Sequence, residues 1–199
     1  MIKSIYESQE EILQSIIDLY CVTGFQADAS YGNGVFYKNI VAPEYKYDID
    51  PQTEDTLNHS SENLPLEDSF LNNLVFDPPF LTYIRNGRTE NKSIMATRFS
   101  GYWTYDELTD HYKKSLEEFH RVLRHKGILV FKCQDIIHNH KMHCTHNNVI
   151  NWAGELGFRL KDLFVLKATH RMPSPQKGVQ KHARIFHSYF LIFENWKRK

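Results

Sequence analysis

The chain has 199 residues, with 24 Lys and Arg against 24 Asp and Glu and 41% hydrophobic residues, which is enough for one well-packed core and short for two. Its 14% aromatic content excludes a disordered chain, and no apolar run approaches the roughly 18 residues of a bilayer span. The opening MIKSIYESQEEILQ carries acids where an export signal carries an apolar segment, so residues 1–199 are read as a single soluble, cytoplasmic domain.

In chain order, Ser8 followed by Glu11 has the capping-box pattern, and Ile12, Leu13, Ile16, Ile17 and Tyr20 recur at helical spacing, which predicts a first helix to about Tyr20. Phe25 to Ala29 reads as a short strand leading into a glycine-bearing loop, Ser30 to Gly34, with a helix expected over Val35 to Ile40. Glu44 to Asp50 alternates aromatic and polar residues before Pro51, a second strand stopped by proline. Leu71 to Phe76 is a strand that must end at Asp77, because Pro78 and Pro79 cannot donate to a ladder. Residues 81–103 form a long basic connection. A second capping box, Thr104 with Glu107, opens a long helix to about Arg124. Ile128 to Phe131 is a fully apolar strand, and Val149 to Leu156 is a helix closed by Gly157. Leu163 to Leu166 and Phe186 to Phe193 supply two final strands, joined without a helix signal and therefore antiparallel. Strands alternating with helices imply an α/β domain with a mainly parallel sheet.

Zero net charge conceals an asymmetry. Between Glu44 and Asp77 stand nine acids and one base, Lys46, whereas between Leu163 and Phe193 there is no acid but Lys167, Arg171, Lys177, Lys181 and Arg184. The first stretch repels phosphate and the second suits it. Cys21, Cys133 and Cys144 are too few and too widely spaced for a disulfide framework or a zinc motif, and are read as reduced thiols.

In a parallel sheet, ligands bind beyond the carboxyl ends of the strands. Three features fall there. The first is Asp28-x-x-Tyr31-Gly32-x-Gly34, whose glycines let the backbone approach a ligand, with Asp50 placed 22 residues after Asp28 to accept from a ribose. Asp48 competes for that role, and Asp50 is preferred as nearer the strand end. The second is Asp77-Pro78-Pro79-Phe80. Its prolines fix a carboxylate, the Pro78 carbonyl and an aromatic face in one cup, which suits a planar amine. The third is the cluster Cys133, His138, His140, His143, Cys144 and His146, read as a histidine-rich loop; no metal is expected.

The stretch Asp28 to Gly34 resembles the S-adenosylmethionine motif of Rossmann-like methyltransferases, and DPPF resembles the catalytic motif of amino-methyltransferases acting on adenine N6 or cytosine N4. Asn63 to Phe70, and the tail from Lys167 through Arg184 to His187-Ser188-Tyr189-Phe190, are similar to flanking segments of small phage or bacterial DNA methyltransferases. Over residues 20–195 this resemblance implies a three-layer fold with a seven-stranded, mainly parallel sheet whose last strand is antiparallel. It implies S-adenosylmethionine as cofactor, held by Asp28, Ala29, Tyr31, Gly32, Gly34, Asp50, Ser60 and Asp77, and catalysis by Asp77, Pro78, Pro79 and Phe80.

The substrate expected is a nucleic acid, DNA favoured over RNA. The base must be flipped out or single-stranded to reach the cup, with phosphates near Arg85, Arg88, Lys167, Arg171, Lys177, Lys181 and Arg184. Phe80 departs from the commoner tyrosine but still stacks. With no room for a recognition domain of ordinary size, a homodimer or a specificity partner stays open. So do three alternatives: an RNA methyltransferase of adenine or guanine amines, a small-molecule methyltransferase and a catalytically silent binding protein.

Overall fold

The computed structural model describes residues 1–82, 102, 104–169 and 179–197. A short strand β1 (Ile5–Tyr6) leads into α1 (Gln9–Tyr20), then β2 (Ala27–Asp28), a 3-10 turn (Val35–Tyr37), β3 (Tyr45–Asp48), β4 (Leu57–Asn58) and β5 (Leu71–Phe76). After these come α2 (Tyr105–Val122), β6 (Leu123–Cys133), a hairpin of β7 (Ile136–His138) and β8 (Lys141–His143), α3 (Thr145–Leu156), β9 (Phe158–Lys167) and β10 (His187–Asn195).

The main sheet has eight strands in the order β1-β9-β10-β6-β5-β2-β3-β4. β10 is antiparallel to both β6 and β9, and every other pairing in that sheet is parallel. The α/β class, the mainly parallel sheet and the antiparallel last strand agree with the sequence. To the seven strands expected, β1, absent from the sequence reading, adds an eighth by pairing with β9 at Ile5↔Val165 and Tyr6↔Leu166.

Helix ends follow local chemistry. The Ser8 hydroxyl accepts from the Glu11 amide at 3.4 Å, and Thr104 and Glu107 close a reciprocal capping box at 3.1 Å in both directions. Gly157 ends α3 at φ 108°, where a Cβ would stand 2.9 Å from the Trp196 carbonyl. Only glycine fits that turn and that approach.

One expectation in the first half needs correction. The helix expected at Val35 to Ile40 is a single 3-10 turn, and no α-helix stands between β2 and β5. Gly32, Gly34, Pro43, Pro51 and Pro65 punctuate these connections too closely for a helical period to develop.

The core has two sides because strand side chains alternate. Val75, Val130, Phe190 and Ile192 face Ile12, Leu13 and Ile16 of α1. Leu74, Phe76, Leu129, Phe131, Leu191 and Phe193 pack with Leu108, Tyr112, Leu116 and Phe119 of α2 and Val149 and Ala153 of α3. Central strands buried on both faces read as the unbroken apolar runs seen in the sequence. Phe76 is 1% exposed, with its ring centroid 4.9 Å from Phe119 and 5.1 Å from Phe131. Phe76→Ala is expected to cost about 3–5 kcal/mol, measurable as a lower urea midpoint at unchanged slope.

Candidate active site

The chain runs from β2 outward through β3 to β4 and returns to the other side of β2 as β5, so strand order switches between β2 and β5. Such a switch opens a crevice at the carboxyl ends of the strands. Asp28 ends β2 and Asp77 follows β5 at that crevice.

Asp28 is buried, and both of its carboxylate oxygens accept hydrogen bonds. Oδ1 accepts from the Ser30 amide at 2.6 Å and the Ser30 hydroxyl at 3.0 Å, and Oδ2 accepts from the Tyr37 hydroxyl at 2.6 Å. Burial pushes its carboxyl up to about 7, against the lowering effect of the Tyr37 and Ser30 hydrogen bonds, with the charge of Asp77 adding to the rise. The Ser30 hydroxyl also accepts from the Asp77 amide at 2.7 Å. One hydroxyl therefore joins the glycine loop to the DPPF turn.

The loop itself is pinned to the sheet. The Ala29 amide donates to the Val75 carbonyl at 3.1 Å, the Tyr31 amide to the Tyr47 carbonyl at 3.0 Å, and the Gly32 amide to Asp48 Oδ2 at 2.8 Å. Gly32 and Gly34 take left-handed φ values of 56° and 76°, and a Cβ on Gly34 would meet the Tyr31 hydroxyl at 2.8 Å. The Tyr31 ring stacks on Tyr37 at 5.8 Å.

The acid at the end of β3 is Asp48. Asp50 lies two residues past the strand, exposed, with its amide donating to Asp48 Oδ1 at 2.8 Å. The reason for preferring Asp50 thus fails, because the alternating pattern ran past the point where pairing stops. Ser60 follows β4, and its hydroxyl accepts from the Glu62 amide at 3.2 Å.

In the DPPF turn, Pro78 is buried and the Pro79 carbonyl accepts from the Tyr112 hydroxyl at 3.1 Å. Asp77 Oδ2 lies 3.1 Å from the Lys132 ammonium. Burial raises the Asp77 carboxyl above its usual range, and the Lys132 charge and hydrogen bond oppose that rise. Phe80 borders a cleft of about 210 Å³ together with Lys132, Gln134, Leu166, Ala168, His187 and Ser188.

Sequence reasoning missed Lys132, Ser30, Tyr37 and Tyr112. Lys132 carried a usable signal, a cation directly after the apolar run Ile128 to Phe131 at a strand's carboxyl end. The histidine-rich segment was expected as a loop and is a hairpin whose tip, Asn139 and His140, has φ of 49° and 58°, the geometry of a tight two-residue turn. Its histidines are dispersed. His138 Nδ1 lies 3.1 Å from Thr82 Oγ1, His143 packs on Tyr105 at 3.9 Å, and His146 pairs with Asp135 at 2.7 Å while stacking on Tyr189. Among the described residues no three His, Cys, Asp or Glu side chains gather as a metal site, and no helix is long and apolar enough to cross a membrane.

Of the expected phosphate contacts, Lys167 pairs with Glu7 at 2.6 Å, and Lys181 and Arg184 are exposed. Arg184 lies 5.7 Å from the Phe186 ring. Arg85, Arg88, Arg171 and Lys177 lie outside the described residues.

Comparison with solved structures places this architecture among the Rossmann-like folds of S-adenosylmethionine-dependent methyltransferases. The [4+2]-cyclase SpnF superposes with a TM-score of 0.56 at 11% identity, over 94% of this chain and 81% of that one. The N-methyltransferase NodS from Bradyrhizobium japonicum gives 0.54 at 11% identity, over 94% and 96%. TTHA0409 from Thermus thermophilus, named for DNA modification methylases and solved with S-adenosyl-L-methionine, gives 0.45 at 15% identity, over 68% of this chain and 52% of its own. The chain spans about half the length of that protein. At these identities the likeness is one of fold, and a fold of this kind hosts more than one chemistry. No family model and no curated protein sequence matches the chain.

Proposed function

We propose that this protein is an S-adenosylmethionine-dependent methyltransferase acting on the exocyclic amine of a nucleobase, adenine N6 in DNA. One observation carries the reading: a proline-clamped carboxylate at the switch point, Asp77, tied through the Ser30 hydroxyl to the glycine loop at 2.7 Å, so that a donor site and an acceptor site share one frame.

The donor set fits this cofactor. Asp28 and Asp77 are two desolvated carboxylates, and Lys132 is the one cation paired with either of them among the described residues, an electrostatic deficit that a sulfonium and an α-ammonium would fill. Asp48, at the end of β3, would take the ribose, and Ser60 beyond β4 lies on the adenine side. A carboxylate oxygen accepts more than one hydrogen bond, so the existing bonds to Asp48 leave capacity. The cofactor would supply a methyl carbon already activated by its sulfonium.

The chain supplies alignment and charge relief. Asp77 accepts from the amine, orients its lone pair and offsets the positive charge that develops on nitrogen. Because Tyr112 occupies the Pro79 carbonyl, the Pro78 carbonyl is the backbone acceptor assigned to the amine's second hydrogen. Phe80 stacks on the ring. The nitrogen's extra proton passes to Asp77 and on to solvent. Exposed Lys181 and Arg184, and Lys167 once released from Glu7, would meet phosphate; Arg85, Arg88, Arg171 and Lys177 are assigned the same role. A homodimer or a specificity partner would supply target choice.

The test is tritium transfer from labelled S-adenosylmethionine to unmethylated DNA and to total RNA, followed by nucleoside analysis. Label in N6-methyladenine from DNA is expected. Label in RNA alone would move the substrate to RNA, label on a free amine alone would make it a small-molecule enzyme, and absence of cofactor binding would sink the methyltransferase reading.

A further inference from the structure

We propose that Lys132 is a positioning residue for Asp77, an ammonium on β6 that holds one carboxylate oxygen and thereby keeps Asp77 ionised with the other oxygen offered to the substrate amine. The proposal rests on the methyltransferase reading and adds to it a residue outside both sequence motifs.

Lys132 is 8% exposed, a setting that lysine tolerates only with partners. Its ammonium donates to Gln9 Oε1 at 2.9 Å and to Asp77 Oδ2 at 3.1 Å, and it sits 5.1 Å from the Phe36 ring and 5.4 Å from the Phe190 ring. Four separate pieces of chain converge on it: the start of α1, the 3-10 turn, β10 and the DPPF turn. Phe190 is its cross-strand partner in the β6–β10 ladder, so the ammonium is fixed by sheet register as well as by hydrogen bonds. Two aromatic faces add cation–π attraction that a neutral amine would not gain. Such a cradle fixes a charge at a point, and the point faces Asp77.

Among the described residues, the charged and titratable groups near Asp77 are few. β6 contributes Lys132, β2 contributes Asp28, the 3-10 turn contributes Tyr37, and α2 contributes Tyr112. Among the described residues only Lys132 favours the anion. Burial opposes it, and the charge of Asp77 in turn raises the carboxyl of Asp28. Without Lys132, Asp77 would hold its proton at higher pH and lose the charge that relieves the nitrogen. Among the described residues nothing donates to Asp77 Oδ1, so the oxygen opposite the lysine is the one presented to the amine.

The test pairs a structural titration with a rate profile. Carboxyl resonances of ¹³C-aspartate-labelled protein are followed against pH in wild type, Lys132→Met, Lys132→Gln and Lys132→Arg, with Asp77→Asn assigning the signal. The Asp77 midpoint is expected to rise by about one to three pH units in the two neutral variants and to stay near wild type in Lys132→Arg. The acid limb of kcat should move by the same amount, with KM for S-adenosylmethionine changed less than kcat. Two neutral variants guard against one failing to fold. An unchanged Asp77 midpoint in a folded neutral variant, or a rate loss equal at every pH, overturns the proposal. If wild type neither binds S-adenosylmethionine nor transfers a methyl group, the methyltransferase reading falls, while the carboxyl titration still decides whether Lys132 governs Asp77.

Discussion

Asp77→Ala and Asp77→Asn are expected to lower methyl transfer by at least about 10²–10³-fold, the usual effect of removing a group that stabilises charge at the reacting atom. The two variants fail for different reasons. Alanine removes the acceptor and also leaves the Lys132 ammonium, 8% exposed, without its anion, so some loss of stability accompanies the loss of rate. Asparagine keeps the shape and one acceptor but no charge, and its melting temperature should stay closer to wild type. The Asp77 amide, which anchors the turn to Ser30 at 2.7 Å, survives both changes. Cofactor affinity, read by calorimetry, should therefore fall far less than the rate. Wild-type turnover by Asp77→Asn would remove Asp77 from the chemistry.

Asp28 should make the protein less stable as pH rises through neutrality. Its carboxyl is pushed from 3.8 up to about 7 in the folded state, so between those values the native protein binds a proton that the unfolded chain has released. Unfolding free energy then falls with pH across the window, by up to about 4 kcal/mol for a shift of about three units. Below the unfolded value the effect vanishes, and above the folded value the penalty is complete. Asp28→Asn removes it: Oδ1 still accepts from Ser30, and the Tyr37 hydroxyl rotates to accept from the new amide. Urea melts of both proteins from pH 4 to 8 isolate the effect as a difference, which should shift in the variant's favour toward pH 8. A difference that stays flat would show that Asp28 titrates normally. Binding of the cationic cofactor should favour ionised Asp28, so its affinity should strengthen from about pH 6 to pH 8 in wild type and much less in Asp28→Asn.

What the sequence made legible was local. Proline at 78 and 79 stops a strand, and β5 ends at Phe76. Thr104 with Glu107 caps α2, and Gly157 closes α3. The positions of Asp28 and Asp77 at strand ends followed from the same logic. The missed features depend on distant partners. β1 is two residues whose pairing lies some 160 positions away in β9, and no local pattern encodes that choice. The Val35–Tyr37 turn read as a helix because its residues are apolar, yet they are committed to rings elsewhere, Phe36 against Phe190 at 6.2 Å and Tyr37 against Phe25 at 6.0 Å. Lys132 drew no reading from the sequence because its partners on α1, β10 and the DPPF turn meet it only in the fold. Asp48 and Asp50 differ by two positions, and where pairing stops is a property of the neighbouring strands.

Both outer strands of the eight-stranded sheet, β1 and β4, are two residues long. An edge strand offers unpaired amides and carbonyls to any other extended chain. β1 covers only Val165 and Leu166 of the ten-residue β9, and the rest of that border carries Arg159, Lys161 and Asp162, charges that oppose strand addition between molecules, while the long hydrophobic strands β5, β6 and β10 stay enclosed within the ladder. Deleting residues 1–7 would uncover Val165 and Leu166, the apolar end of that border, and self-association at high concentration is the cost such a truncation should carry.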